Sequence, residues 1–248
     1  MLADADISPE KFDQQLQWLS GWRRVVTLEE TLRTPSRRNL VAITFDDGFR
    51  DNLTVALPLL EKYQLPMTLF VTAGFIGRDG YLSEADLREI SRHPLVTIGA
   101  HGLWHRHFNQ LSTDEARFEL IESRRLLAGM TGKTVDLLAW PFGECNDQLE
   151  QLSADCGYRA SWSVWKGTNG DHSRWRVPLG RRDNLARFVI KSSGFYALTK
   201  AKWHRREQRS EVRSQRSEVR EQRSEIRKTR AQKSEVRDRS GQVASSEF

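Results

Sequence analysis

The alternation of strand-like and helix-like segments between residues 40 and 163 limits the possible folds more than any other feature of this chain. Short runs of β-branched and other apolar residues alternate there with segments whose apolar residues recur at helical spacing. The predicted strands are Leu40–Phe45, Met67–Thr72, Leu95–Ala100, Val135–Trp140 and Tyr158–Ser163. The predicted helices between them are Asp51–Tyr63, Ser83–Arg92, Ser112–Met130 and Asn146–Cys156. Such an alternation predicts an α/β fold with a parallel sheet, which is either a barrel or doubly wound.

Weaker patterns flank this region on both sides. A serine followed by a proline at Ser8-Pro9 predicts the start of a helix that ends near Gly21. A second short helix is predicted over Leu28–Leu32. After the last strand of the alternating region, we predict a short strand at Arg176–Leu179 and a helix at Leu185–Leu198 that is interrupted near Gly194.

Residues 201–248 form a charged tail of low complexity. The hexapeptide Q-R-S-E-V-R or a close variant occurs four times, and each copy contains a single apolar residue. A coiled coil needs two apolar positions per heptad, so the tail is predicted to be disordered or loosely helical. A weak coiled coil, contact with an anionic surface, or repetitive DNA translated in frame are the alternatives.

Charge and composition exclude several classes of protein. The tail holds 14 Lys and Arg against 8 Asp and Glu, whereas residues 1–200 hold 25 of each, so the net charge of +6 belongs to the tail. The body therefore offers no broad basic surface for nucleic acid. Two cysteines cannot form a disulfide framework, and no apolar run is long enough for a transmembrane helix. The N-terminus lacks the pattern of a signal peptide. The chain as it stands predicts a cytoplasmic protein, with an exported relative that has lost its leader as the alternative.

Residues capable of acid–base and metal chemistry follow three of the predicted strands. Asp46 and Asp47 follow the first, His101 and His105 follow the third, and the turn Pro141–Gly143 follows the fourth. In a parallel barrel these strand ends meet at one face, so the groups are expected to share a pocket. Two imidazoles and one carboxylate form a facial set for a metal, and the second aspartate is then available to take a proton from water.

The motifs T-F-D-D-G, H-x3-H and P-F-G, in this order and at these strand ends, resemble the polysaccharide deacetylase family (the NodB-homology domain, carbohydrate esterase family 4). The resemblance covers roughly residues 8–200, and its motifs lie between Thr44 and Gly143. It implies a distorted (β/α) barrel, here incomplete at its ends because the family's usual first strand is not visible before Ser8. It also implies metal-dependent hydrolysis of N-acetyl groups, or of O-acetyl groups as an alternative, on a polysaccharide.

The resemblance also implies a role for each motif residue. Asp46 resembles the general base, and Asp47, His101 and His105 resemble the ligands of a divalent metal, which is usually zinc. The backbone N–H of Phe142 resembles an oxyanion donor.

Two departures from the family pattern concern proton transfer. The family usually has an arginine, which orients the base, two residues before the proline of P-F-G, but this chain has Ala139 there. Arg181 or Arg182 is the replacement that the sequence suggests. The family's late Leu-x-His motif, which supplies the catalytic acid, is absent, so His172 and His204 are candidates for that role, as is solvent.

The pocket rim supplies the candidates for sugar contacts. Trp104, inside the H-x3-H loop, is predicted to bind substrate together with Pro141 and Gly143 of the P-F-G turn. The other candidates for a sugar subsite are Trp140, Trp162 and Trp165, with packing in the core as the alternative for Trp140 and Trp162.

These patterns together predict three parts of the chain: a helical lead-in over residues 1–38 packed on the barrel, a catalytic domain over residues 39–200, and the repeat tail over residues 201–248. The predicted function is a metal-dependent hydrolase that removes N-acetyl groups from a polysaccharide or oligosaccharide. The alternatives are a catalytically impaired sugar-binding remnant of the same fold and a hydrolase of another non-peptide amide. The sequence does not indicate the oligomeric state.

Overall fold

A six-stranded, entirely parallel sheet forms the centre of the protein. The computed structural model of the chain describes residues 7–34, 39–164, 171–172, 174–193 and 196. The strands of the sheet follow one another in chain order, and each pairs with the next. They are β3 (Ile43–Phe45), β4 (Met67–Val71), β5 (Val96–Ala100), β6 (Leu137–Ala139), β7 (Ala160–Ser163) and β8 (Arg174–Trp175). Because all six are parallel, their carboxyl ends lie on one face of the molecule.

Helices connect the strands from β3 to β7, as the helical spacing of apolar residues predicted. They are α3 (Leu57–Tyr63), α4 (Glu84–Arg92), α5 (Thr113–Thr131) and α6 (Asp147–Asp155), and α7 (Leu185–Ser192) follows β8. Ser83 and Ser112 each form a capping box with the acidic residue three positions later, which fixes the starts of α4 and α5. The sequence therefore located these helices to within a few residues.

The predicted strand Leu40–Phe45 is two strands that belong to different sheets. β2 (Leu40–Val41) pairs in parallel with β1 (Arg24–Val25) in a small separate sheet, and β3 begins after Ala42. The hydrophobic pattern does not reveal this division because both halves are partly buried and equally apolar.

Two further predictions need correction. The short strand expected at Arg176–Leu179 lies two residues earlier, at β8, because Pro178 has no N–H to donate to a sheet. The helix expected over Asp51–Tyr63 begins as a π-helical turn, Asn52–Ala56, before α3. Pro58 lacks the amide hydrogen that would bond to Thr54, which accounts for a change of helix type at this junction.

The sheet curls so that its first and last strands approach each other. Apolar side chains of β4, β6 and β7 fill the space inside the curl, among them the fully buried Phe70 and the nearly buried Trp162. The Arg176 guanidinium, directly after β8, donates to Thr44 Oγ1 in β3 at 3.3 Å, although these strands form opposite edges of the sheet. The fold is therefore the distorted, open (β/α) barrel expected from the resemblance.

The N-terminal segment packs on the outer helices. It contains α1 (Pro9–Trp22), β1 and α2 (Leu28–Arg33). In α1, the ring of Phe12 meets Phe45 edge-on at 5.7 Å, and Asp13 pairs with Lys62 at 2.8 Å. The described residues between 7 and 193 belong to one compact unit. The boundaries proposed for the lead-in and the catalytic domain stay predictions, and the repeat tail lies outside the described residues.

None of the described helices combines the length and the apolar character that crossing a bilayer requires.

Candidate active site

Three strand ends, those of β3, β5 and β8, bring ionisable side chains together at the carboxyl face of the sheet. Asp46 and Asp47 follow β3, His101 follows β5 directly, and His105 follows within the same loop. Arg176 comes from the end of β8. The structure thus brings together the aspartates and histidines predicted from the sequence, along with an arginine that was not among the predicted site residues.

Asp47, His101 and His105 form a compact cluster of potential metal ligands. Asp47 Oδ1 lies 3.6 Å from His101 Nε2 and 3.3 Å from His105 Nε2, and the ligand atoms all lie within 4.8 Å of one another. Ligand bonds of about 2.0–2.1 Å in a tetrahedral site would separate two ligand atoms by roughly 3.3 Å. The spacing of Asp47 Oδ1 from the two nitrogens therefore suits a small divalent cation.

The protonation pattern around the cluster also suits a metal. His101 Nδ1 lies 2.8 Å from the carbonyl oxygen of Ala139, so it carries the proton and Nε2 presents its lone pair to the cluster. Burial lowers the pKa of His105 despite the opposing effect of the aspartates, which favours the neutral imidazole. Asp47 Oδ1 is buried and has no hydrogen-bond partner in the described part of the chain. A cation would satisfy that oxygen, and these residues therefore fit the metal that the resemblance implies.

Asp46 forms a bidentate ion pair with Arg176. The two guanidinium nitrogens donate to Asp46 Oδ1 at 2.6 Å and to Asp46 Oδ2 at 2.8 Å, and the guanidinium also lies 5.3 Å from the ring centre of Phe70. Burial alone would raise the pKa of Asp46, but the Arg176 guanidinium, through its charge and its hydrogen bonds, lowers it to about 2. Asp46 is therefore an ionised carboxylate held in a fixed orientation.

The pocket concentrates strained backbone. Asp47, His105 and Phe142 have φ values of 71°, 52° and 59°, in the left-handed region that non-glycine residues rarely adopt. Together they are three of the five such residues in the described chain. Strain of this kind costs about 1–3 kcal/mol per residue and persists where the surroundings impose it, often at functional sites.

The P-F-G turn forms one wall of the pocket. Pro141 and Gly143 are buried, and a Cβ at Gly143 would lie 2.4 Å from Val164 Cβ. The Phe142 ring is 43% exposed and lies 4.6 Å from the ring centre of His105. The ring of His107 also stacks on the Phe142 ring, with the ring centres 3.6 Å apart. The predicted substrate contacts of Pro141 and Gly143 stay predictions, since the visible role of both residues is to shape the turn.

The tryptophans proposed for sugar contacts differ in their exposure. Trp104 is 47% exposed and lies against Gly74, where a Cβ would be 2.4 Å from its ring. Trp140 and Trp162 are buried in the core, and Trp165 lies outside the described residues. Trp104 is therefore the tryptophan of this group whose position allows contact with a substrate.

Of the two histidines considered as the acid, His172 is the one that the structure describes, and it lies away from the metal-ligand candidates. His172 Nδ1 lies 3.0 Å from Ser153 Oγ on α6, and no contact links its ring to the metal-ligand cluster within the ranges that the structure covers. His204 lies outside those ranges.

Sequence reasoning missed the arginine that holds Asp46. Arg181 and Arg182, which it suggested, are exposed, and the contact is made by Arg176 instead. The rule that strand ends meet at one face would have indicated Arg176 if β8 had been placed two residues earlier.

Comparisons with known proteins agree with the fold and the motifs. A family model described as polysaccharide deacetylase matches residues 33–161. YxkH of Bacillus subtilis is 28% identical over 160 residues, which are 62% of this chain and 57% of that protein. The poly-β-1,6-N-acetyl-D-glucosamine N-deacetylase of Staphylococcus aureus is 27% identical over 179 residues, which are 64% of this chain and 61% of that protein. The solved structure of the Streptococcus pyogenes deacetylase PplD in complex with acetate aligns with a TM-score of 0.70 and 25% identity, covering 77% of this chain and 89% of PplD.

The chain spans about three-fifths of the length of the curated relatives it matches. The family model nevertheless covers more than half of the chain, including all three motifs. The chain therefore belongs to the polysaccharide deacetylase family.

Proposed function

We propose that this protein is a metal-dependent deacetylase that removes N-acetyl groups from a polysaccharide. The observation that carries the proposal is the cluster of Asp47, His101 and His105 directly beside the ionised, arginine-held Asp46. A site for a cation and a site for a base, a few ångströms apart, are the two components that hydrolysis of an amide requires.

Asp47, His101 and His105 would hold the metal, with zinc as the expected ion. When bound, the ion would act as a Lewis acid that polarises the acetyl carbonyl and favours deprotonation of a water. His101 keeps its Nε2 directed at the cluster through its bond to the Ala139 carbonyl. The strained backbone at Asp47 and His105 keeps their side chains turned toward the same point.

Asp46 would move the proton. One of its oxygens lies 3.9 Å from His101 Nε2, so the carboxylate borders the cation site. It accepts a proton from water as the water oxygen bonds to the acetyl carbon. Arg176 holds both carboxylate oxygens during this step, and the N–H of Phe142 is proposed to donate to the carbonyl oxygen as negative charge develops on it.

The leaving amine needs a proton when the carbon–nitrogen bond breaks. Because His172 bonds to Ser153 on α6, we propose that Asp46 returns the proton it accepted. The products are acetate and a sugar carrying a free amine. The alternative of a catalytically impaired remnant is not favoured, because the ligands, the base and an arginine for the base are all present.

The substrate is proposed to be a polymer of N-acetylated sugars. The Staphylococcus aureus relative is named for poly-β-1,6-N-acetyl-D-glucosamine, which makes β-1,6-linked oligomers the first substrates to test, followed by chitin and peptidoglycan fragments. The exposed rings of Trp104 and Phe142 on the pocket rim support binding of sugar faces.

Acetate release from these oligomers tests the proposal. The full chain, freed of metal with a chelator and then reloaded with Zn²⁺, is expected to lose and regain activity. Asp46→Asn is expected to bind Zn²⁺ but to release no acetate above background. No acetate from any N-acetylated glycan, despite one bound Zn²⁺ per chain, would contradict the proposed function.

A further inference from the structure

A buried carboxylate lies beneath the loop that carries both histidines. Glu119, on α5, is 1% exposed, and its Oε2 accepts hydrogen bonds from the backbone N–H groups of Leu103 at 2.8 Å and Trp104 at 2.9 Å. These two residues lie between His101 and His105 in the sequence. The carboxylate thus holds the middle of the segment whose two ends supply the imidazoles.

The loop is fixed on its other side by a neighbouring strand end. The carbonyl of Gly102 accepts from the N–H of Ala73 at 3.2 Å, and the carbonyl of Leu103 accepts from the N–H of Gly74 at 2.9 Å. Each of these carbonyls lies in the same planar peptide unit as the N–H of Leu103 or Trp104, so each of the two peptide units is held on one side by this strand end and on the other by Glu119. Without the carboxylate, the amides of Leu103 and Trp104 would lose their acceptor in a largely dry environment.

The charge of Glu119 matches this arrangement. Two successive amides that point at one oxygen form a concave site for an anion, and bonds to an ionised acceptor are roughly twice as strong as neutral ones. Within the described ranges, the hydrogen bonds to the Glu119 carboxylate come from the backbone amides of Leu103 and Trp104. The loop amides are therefore the groups that stabilise its charge.

The loop requires such support because its backbone is unusual. Gly102 has φ of 75° and His105 has φ of 52°, so both ends of the central segment are in the left-handed region. A side chain at position 102 would approach the ring of Phe108 at 3.3 Å and Glu119 Oε2 at 3.6 Å, so the carboxylate lies directly beneath the turn. The hydrogen bonds that Glu119 accepts from Leu103 and Trp104 offset the cost of holding His105 in this conformation.

We propose that Glu119 is a positioning residue that sets the separation of the His101 and His105 imidazoles, and through it the affinity of the site for a divalent cation. The inference rests on the metal site of the proposed function. Glu119 touches neither the cation nor the substrate, and it acts through the two amides that it binds.

Zn²⁺ affinity of the full chain, measured by competition with a chromophoric chelator, tests this role. Glu119→Gln preserves shape and one acceptor oxygen but removes the charge, and it is expected to weaken Zn²⁺ binding by about 10-fold or more, the range seen when supporting groups around metal ligands are lost. The visible spectrum of the Co²⁺-loaded variant is expected to shift, because the ligand geometry changes. Glu122→Gln is the matched control, since Glu122 lies on the same helix and pairs with Arg125 outside the site.

Unchanged Zn²⁺ affinity and an unchanged Co²⁺ spectrum in folded Glu119→Gln would overturn the inference, even if its melting temperature fell. If Glu119→Gln does not fold, Glu119→Asp, which keeps the charge but shortens the side chain, must show the weaker Zn²⁺ binding instead.

Amide hydrogen exchange in the metal-free wild type adds a test without any variant. Leu103 and Trp104 are expected to be protected, and rapid exchange at both would overturn the inference. Wild-type chain that binds no Zn²⁺ would instead refute the proposed function.

Discussion

Replacing Arg176 with methionine tests how the pocket controls its base. Methionine keeps an unbranched apolar stem against Phe70 but removes both bonds to Asp46. A hydrogen bond to a charged group is worth about 1.5–3 kcal/mol. The Asp46 side chain is 35% exposed, so solvent screening reduces the combined free energy of the two hydrogen bonds. We therefore expect the loss of this orientation of the base to raise the activation free energy by about 2–3 kcal/mol. Such an increase corresponds to roughly a 30- to 150-fold fall in kcat.

The assay for this prediction is the steady-state rate of acetate release from an N-acetylglucosamine oligomer. The loss is expected in kcat with little change in KM, because Arg176 contacts the base rather than the substrate. Arg181→Met and Arg182→Met are the matched controls, since both arginines are exposed and are expected to leave kcat unchanged. Wild-type kcat in Arg176→Met, or a larger loss in either control, would refute the assigned role of Arg176.

Two further variants probe the rim of the pocket. Gly143→Ala is expected to lower the free energy of unfolding by about 1–3 kcal/mol, because the new Cβ would collide with Val164 at a residue whose φ is left-handed. The control is Gly129→Ala, in open space on α5, which should be neutral or stabilising. Thermal unfolding of the metal-free proteins compares the two variants. Trp104→Ala is expected to raise KM for long oligomers by about 3- to 10-fold with kcat retained, because the loss of one aromatic contact costs about 0.5–1.5 kcal/mol of binding free energy. An unchanged KM would exclude Trp104 from the sugar contacts.

The grouping of Asp47, His101 and His105 was predictable from the sequence because each member lies directly at or near the end of a strongly patterned strand. Asp47 follows β3 and His101 follows β5, and parallel pairing through β4 brings those ends close together. Local pattern and sheet geometry are sufficient for such a prediction, and neither depends on the details of side-chain packing.

The partner of the base could not be located in the same way. β8 is only two residues long, and its apolar pattern is too short to distinguish it from the segment that includes Val177 and Leu179. The contact of Arg176 with Asp46 also depends on how strongly the sheet curls. Inside the curl, Phe70 of β4 packs against Trp162 of β7, and such packing between distant strands is a property of the whole fold and not of any local segment.

The support beneath the histidine loop was hidden for a different reason. Glu119 lies among apolar residues on a helix whose other acidic residues face solvent, and the sequence does not distinguish it from Glu122. Its burial becomes evident only when α5 is placed against the loop.

The contact between Asp46 and Arg176 spans 130 residues and joins the first strand of the main sheet to the last. Contacts of such high sequence separation form late, because the intervening chain must first lose much of its conformational entropy. During folding, the segments that supply Asp47, His101 and His105 can assemble from the first three strands of the sheet, well before β8 is added. We therefore expect a nascent or partly folded chain to be able to hold a cation before it can direct a base at an acetyl group. Hydrolysis would begin only when the curled sheet is complete.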